Sequence, residues 1–307
     1  MLESLATGRM RNLFRKEPPS VTVPGQVRTP PAGSAGDGLW VRCENERCRE
    51  LLYVREFENN LKVCHKCQHH ARLSARERVQ QLVDEGSFVE QDAELSAADP
   101  LAFAAAGESY ARRLQAAALK TGEREAAIGG GASIDALPVE IVALDFGFMG
   151  ASMGSVVGEK IARGADRAAE RGAALITVSA SGGARMHEGI FALMQMAKTV
   201  TALAHLAAAR APHISILADP TLGGVTASYA GAGDVVIAEH GALVGFAGPR
   251  VIEQITKQKL PPDAQRAAFL MEHGMVDLVV QRRDLRPTVS RLLRLYAGVG
   301  RTALAQS

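Results

Sequence analysis

A chain of 307 residues, 47% hydrophobic with 30 glycines and one tryptophan, can bury a large core and pack strands and helices closely. Its formal net charge of +2 gives no bulk attraction to nucleic acid or to an anionic membrane surface. No apolar run reads as approaching the roughly 18 residues that cross a bilayer, and the N-terminus lacks the unbroken apolar core of a secretory signal, so a cytoplasmic location is expected.

Residues 1–37 contain "KEPPSVTVPG" and "TPPAGSAGDG", and this Pro, Gly and Ser content predicts a disordered leader. All four cysteines fall within 38–70, as "CENERC", fifteen residues, then "CHKC". A disulfide framework belongs to small secreted scaffolds, whereas two close pairs in a large chain can close four thiolates around one zinc ion. Cys43, Cys48, Cys64 and Cys67 would fill all four positions, so the zinc would be structural, with His65, His69 and His70 left as exposed surface residues.

Residues 71–120 read as a helical linking segment, in which Ser74 caps a helix with Val79, Leu82 and Val83 on its inner face. From 121 to 307, the runs "VEIVALDF", "AALITVSA", "HISILAD", "DVVIAEH" and "MVDLVV" predict strands alternating with helices, an α/β domain with a largely crossover-connected sheet. The helix over "GIFALMQMAKTVTALAHLAAAR" is expected to pack through a stripe of Ile190, Leu193, Met194, Ala197, Thr201 and Ala204.

Three glycine-containing junctions follow such strands. "GASMG" at 150–154 matches the G-x-S-x-G elbow of serine hydrolases, with Ser152 as nucleophile and His240 or His273 as base. That fold places several strands ahead of the elbow, where this chain has its cysteine module and a helical segment. "SASGGARM" and "DPTLGGVTAS" set Gly182–Gly183 and Gly223–Gly224 between a strand and a helix. Free N–H groups at helix starts, uncluttered by side chains, can hold a developing oxyanion, each donor contributing about 3–4 kcal/mol. The spacing does not match the G-x-G-x-x-G of a nucleotide loop. On the residues alone, oxyanion binding and plain tight packing both remain open.

Taken together, "FMGASMGSVVGEKI", "SASGGARMHEG", "LMQMAKT", "DPTLGGVTAS" and "LVGFAGPRVIEQ" behind a cysteine ribbon resemble the beta subunits of bacterial acetyl-CoA carboxylase carboxyltransferase, over about residues 40–290. The resemblance implies a crotonase-like (ClpP/crotonase) spiral of strand–strand–helix units across 121–307, preceded by a small four-cysteine zinc ribbon. It implies carboxylate transfer from carboxybiotin on a biotin carboxyl carrier protein to acetyl-CoA, giving malonyl-CoA for fatty acid synthesis. The biotin ureido nitrogen would act as base, and Gly182, Gly183, Gly223 and Gly224 as backbone oxyanion donors. Gly150, Ser152 and Gly154 become a turn beside the CoA site. A carboxyltransferase alpha subunit, in an α2β2 assembly, and biotin carboxylase are the further partners implied. The first cysteine pair departs from the family's C-x2-C in being C-x4-C.

Two competing expectations remain. A propionyl-CoA substrate differs by one methylene, worth only about 1–3 kcal/mol of discrimination. A ribbon bearing Arg42, Arg47, Arg49, Tyr53 and Arg55 has the residue types of a nucleic-acid-binding surface.

Overall fold

Two antiparallel strands, β1 (Trp40–Arg42) and β2 (Leu51–Tyr53), pair in register around the first cysteine loop and lead into a short helix, α1 (Val54–Asn59). The computed structural model describes residues 37–261 and 263–304, so all but the last position of the expected leader lies outside the described residues. Helix α2 (Ala75–Leu82) follows, and its start is set as the sequence predicts. Ser74 accepts from the Glu77 N–H while the Glu77 carboxylate accepts from the Ser74 N–H, a reciprocal cap that satisfies two end donors. Val79, Leu82 and Val83 are buried.

The segment 71–120 is not purely helical. It also contains β3 (Val89–Gln91) and a small hairpin of β4 (Ala104–Ala105) and β5 (Glu108–Ser109) before α3 (Tyr110–Thr121). Strand β3 joins the main sheet by pairing antiparallel with β6 (Ala127–Ile134), which in turn pairs antiparallel with β7 (Leu137–Leu144).

From β7 the chain alternates. Helix α4 (Ser155–Arg171) leads to β8 (Ala174–Ser181), α5 (Ile190–Ala208) to β9 (His213–Leu222), and the single-turn α6 (Gly223–Thr226) to β10 (Val235–Glu239). Short β11 (Val244–Gly245), α7 (Pro249–Thr256), α8 (Ala267–Glu272), β12 (Leu278–Val280) and α9 (Leu285–Leu304) complete the chain. The eight-stranded sheet runs β12-β10-β9-β8-β7-β6-β3 with β11 beside β9, and β7 through β12 are parallel where they pair.

Alternate residues of the central strands feed two cores. Val142, Leu144, Leu175 and Leu217 face α4 and α5, while Ile141, Ile176, Ile214 and Ile216 face α2 and α9. Near-continuous apolar strands are what a parallel sheet covered on both faces requires.

Helix α5 departs from its expected orientation. Ile190, Leu193 and Met194 are 60%, 49% and 56% exposed, and Ala197, Thr201 and Ala204 are also exposed. Ala192, Gln195, Thr199, Ala202, Leu203 and Leu206 face inward instead. The reason is the neighbour. Helix α4 presents Gly158, Ala162 and Ala165, and a Cβ on Gly158 would stand 2.7 Å from the Gln195 Cβ, so only small or locally bonded side chains fit. Gln195 Nε2 and the Thr199 hydroxyl donate to the carbonyls of Phe191 and Gln195. With mean hydropathy 1.3 over 19 residues, α5 is also long and apolar enough to cross a membrane, which amends the expectation that no run approaches that length.

Candidate active site and metal centre

Three junctions meet at the carboxyl ends of β7, β8 and β9, where ligands of parallel α/β sheets bind. The turn after β7 is stitched to the turn after β8 by four bonds. The Gly182 N–H donates to the Gly150 carbonyl (2.9 Å), the Met153 N–H to Gly183 (2.7 Å), and the Arg185 N–H to Met153 (2.9 Å). The fourth runs from the Ser181 hydroxyl to the Ala151 carbonyl (2.6 Å).

The turn after β8 then presses on the turn after β9. Gly183 has φ +113°, and a Cβ there would stand 3.3 Å from both the Gly223 Cα and the Leu222 oxygen, and 3.7 Å from the Gly224 nitrogen. Two backbones in contact leave no room for a side chain.

This geometry bears on the oxyanion roles expected of Gly182 and Gly183. Their amides are engaged inside the chain, Gly182 on Gly150 and Gly183 on the Ser181 hydroxyl (3.1 Å). The pairing that holds the turns together uses the Gly182 N–H, and a local turn bond uses that of Gly183. The Ala184 N–H has no acceptor among the described residues, and α6 begins with first-turn donors that no side chain caps. Gly182 itself is exposed, its φ is not positive, and a Cβ there would meet only the Gly150 oxygen at 3.6 Å, an ordinary contact.

The serine-hydrolase reading finds no support. The Ser152 hydroxyl donates to the Met149 carbonyl (3.1 Å) and accepts from Arg185 Nε (3.1 Å). His240 stands against His70 with ring centroids 5.8 Å apart, and His273 bonds the Phe269 carbonyl. Gly154 has a different reason to be glycine: a Cβ there would collide with the Glu188 carboxylate, which bonds the Ser155 N–H (2.6 Å) at the start of α4.

Arg185, Glu188, Tyr110 and Glu125 form a buried polar cluster behind the turns, which the sequence reading missed. The available signal was an Arg and a Glu three residues apart inside the glycine-flanked "GGARMHEG".

In the ribbon, the Sγ atoms of Cys43, Cys48, Cys64 and Cys67 all lie within 4.8 Å of one another, with Cys43–Cys67 at 3.7 Å and Cys48–Cys64 at 3.9 Å. Zinc–sulfur bonds of about 2.3 Å in a tetrahedron put the sulfurs about 3.8 Å apart, so the donor set fits the ion. The C-x4-C loop brings each of its sulfurs against one sulfur of the second pair. Burial pushes the Cys43 thiol up to about 12, the cost of a thiolate in this small apolar nest, and a coordinated dication reverses it. The Asn45 side-chain amide donates to Cys67 Sγ (3.6 Å), an outer contact of the kind that steadies metal ligands.

His65 is exposed and His69 half-buried, but His70 is buried. It bonds the Gln281 side chain (2.9 Å) and faces Glu239, which also takes paired bonds from Arg78 and Arg282. Arg282 in turn donates to the Leu61 carbonyl (2.7 Å), so this network ties the ribbon to the sheet. Arg42, Arg47, Arg49 and Arg55 are exposed but interleaved with Glu44, Glu46, Glu50 and Glu56, which dilutes any field for phosphate.

Residues 67–289 match the carboxyl transferase domain family. The chain is 52% identical over 287 residues to the acetyl-coenzyme A carboxylase carboxyl transferase subunit beta of Herpetosiphon aurantiacus, covering 94% of each. The chain belongs to the acetyl-CoA carboxylase carboxyl transferase beta-subunit family. Another member of this beta-subunit family, from Thermus thermophilus, is 50% identical over 94% of this chain and 97% of its own. Among solved structures, transcarboxylase 12S with methylmalonyl-coenzyme A and methylmalonic acid bound superimposes with TM-score 0.61 at 25% identity, over 72% of this chain and 41% of that one. A Pseudomonas malonate decarboxylase hetero-tetramer shares the fold with TM-score 0.60 at 24% identity, over 74% and 82% of the two chains. The architecture is thus the crotonase-like α/β fold of carboxyltransferases, and the beta-subunit chain is a transferase component.

Proposed function

We propose that the chain transfers carboxylate from carboxybiotin on a carrier protein to the methyl carbon of acetyl-CoA, giving malonyl-CoA for fatty acid synthesis. The observation that carries this reading is Gly182. Neither its backbone angle nor its surroundings inside the chain demand glycine, yet it lies exposed where three turns converge at the edge of a parallel sheet. A ligand seated against the backbone supplies the demand.

Removing a proton from the thioester methyl leaves an enolate with its charge on the thioester oxygen. The amides of Ala184 and Gly224 hold that oxygen, while Gly182, Gly183 and Gly223 keep its approach clear and Gly150–Gly154 borders the CoA. Carboxybiotin, when presented, supplies both the carboxylate and, at its ureido nitrogen, the base. Arg185 and Glu188, on the turn after β8, are buried and paired with each other, so neither is free for that role.

Carboxyl transfer develops two oxyanions, one on the enolate and one on the departing ureide, and this junction accounts for one. A second crotonase-type subunit, the alpha chain, supplies the other in an α2β2 assembly, with the biotin carboxyl carrier protein and biotin carboxylase as wider partners. The outward face of α5 fits that contact: Ile190, Phe191, Leu193, Met194 and Val200 are all exposed, as is Met186 in the turn before it. The four cysteines hold one structural zinc, and the enzyme works in the cytoplasm.

The test measures carboxyl transfer from malonyl-CoA to a biotin derivative. The purified chain alone is expected to be nearly inactive, with activity restored by the alpha subunit and blocked by Leu193→Asp at unchanged zinc content. Full activity from a homogeneous preparation of this chain alone overturns the reading.

A further inference from the structure

Arg185 has no exposed surface, and all three of its guanidinium nitrogens are bonded. Nη1 and Nη2 donate to the two oxygens of buried Glu125 (2.9 and 2.6 Å), Nη2 also to the Ser152 carbonyl (2.7 Å), and Nε to the Ser152 hydroxyl (3.1 Å). Nη1 reaches the Tyr110 hydroxyl (3.1 Å), which donates to Glu188 (2.7 Å), whose other oxygen takes the Ser155 N–H. One connected cluster therefore grips the turn after β7 at Ser152 and Ser155, and it grows from the turn after β8 at Arg185 and Glu188.

Such a cluster is a poor device for stability. A buried ion pair roughly breaks even against packed apolar residues of the same volume. What it supplies is direction, because the guanidinium is a flat fork with fixed donor angles. The two turns it joins already share backbone bonds, and the fork fixes how far apart they stand.

We propose that Arg185, oriented by Glu125 and extended by Glu188, is a positioning residue that sets how the 182–184 turn sits against the 150–154 turn. This rests on the carboxyl-transfer reading, since the 182–184 turn carries the Ala184 amide assigned there to the thioester oxygen. Mispositioning of about 1 Å costs on the order of 10²-fold in rate, so a displaced Ala184 amide is expected to act on kcat more than on KM.

The test is the double variant Arg185→Met with Glu125→Leu, which removes the two-pronged ion pair together; Glu188 loses the cation it faces but keeps its bonds from the Tyr110 hydroxyl and the Ser155 N–H. Assembled with the partner subunit, it is expected to keep wild-type zinc content and thermal unfolding and a KM for malonyl-CoA within about twofold, with kcat lower by about 10²-fold. Independently of turnover, amide exchange at Met153 and Gly182 should speed up by about tenfold or more while Ile176 and Ile216 in the sheet stay protected. A kcat within about threefold of wild type, or a loss confined to KM, overturns the proposal. Should the double variant not fold, Glu188→Gln decides by the same split, because it keeps the volume and one of the two grips. If the wild-type assembly itself transfers no carboxyl group, the function reading fails, and the exchange measurement alone judges the positioning, wild-type protection overturning it.

Discussion

The ribbon and the glycine junction are two functional sites built on opposite principles. The ribbon acts through side chains that are present: four sulfurs, 3.7 to 3.9 Å apart in their closest pairs, suited to one ion. The junction, on the proposed reading, acts through side chains that are absent, with backbone amides as donors whose availability depends on which partners the fold leaves them. A cysteine declares its chemistry in the sequence, whereas a glycine declares only that something is missing.

Removing the metal should sharpen that contrast most. Binding energy at a structural zinc is folding energy, about 10–16 kcal/mol in isolated fingers, so Cys64→Ser or strong chelation is expected to unfold residues 38–70. Amide exchange should show the ribbon exposed while the β7–β9 core stays protected, and metal analysis should fall from one zinc per chain to none. A ribbon that keeps its protection without metal breaks the comparison.

The junction responds to added bulk. Gly182→Ala should lower kcat by roughly 10²-fold with a stability change below about 1 kcal/mol, because a methyl fits the fold but intrudes on the ligand. Gly183→Ala is the contrasting variant. At φ +113° and 3.3 Å from another backbone it should lose stability and activity together, so Gly182 is the informative position of the pair. Urea denaturation beside steady-state kinetics separates the two, and an active Gly182→Ala enzyme removes the ligand argument.

Acid probes the sheet beneath the junction. Burial holds the His213 imidazole, bonded to the Thr177 hydroxyl, down to about 4. A depressed histidine stabilises the fold above its unfolded value of about 6.5, and that contribution, on the order of 3 kcal/mol, is lost as pH falls from there toward 4. His213→Gln should flatten the fall in thermal unfolding temperature across that window.

The smallest effect is expected at Ser152→Ala. Its hydroxyl is one of several grips for Arg185, and no acyl-serine forms, so activity should fall by less than about tenfold. Abolished turnover there, with active glycine variants, returns the elbow to a nucleophile's role.

Several elements were legible because their signals are local. The Ser74–Glu77 cap, the five apolar strand runs and the cysteine spacing each need only neighbours in the chain. Strand β6 was hidden by "GGG": at Gly130 a Cβ would land on the Val89 carbonyl of a strand about forty residues away, so glycine there reflects a partner outside its own window. Helix α5 shows the same limit. Its period was readable, but which stripe turned inward depended on the small residues of α4, and the largest apolar side chains went outward.

The sequence by itself determined the four-cysteine cluster, the alternation of strands and helices and the three glycine junctions, because spacing and periodicity encode them directly. Only the tertiary structure decided that the amides of Gly182 and Gly183 are engaged, that His70 is buried against Glu239, and that Arg185 bridges two turns. The physical reason is common to all three. A hydrogen bond is made by whatever group stands within about 3 Å, and the groups that meet there come from segments that sequence distance keeps apart.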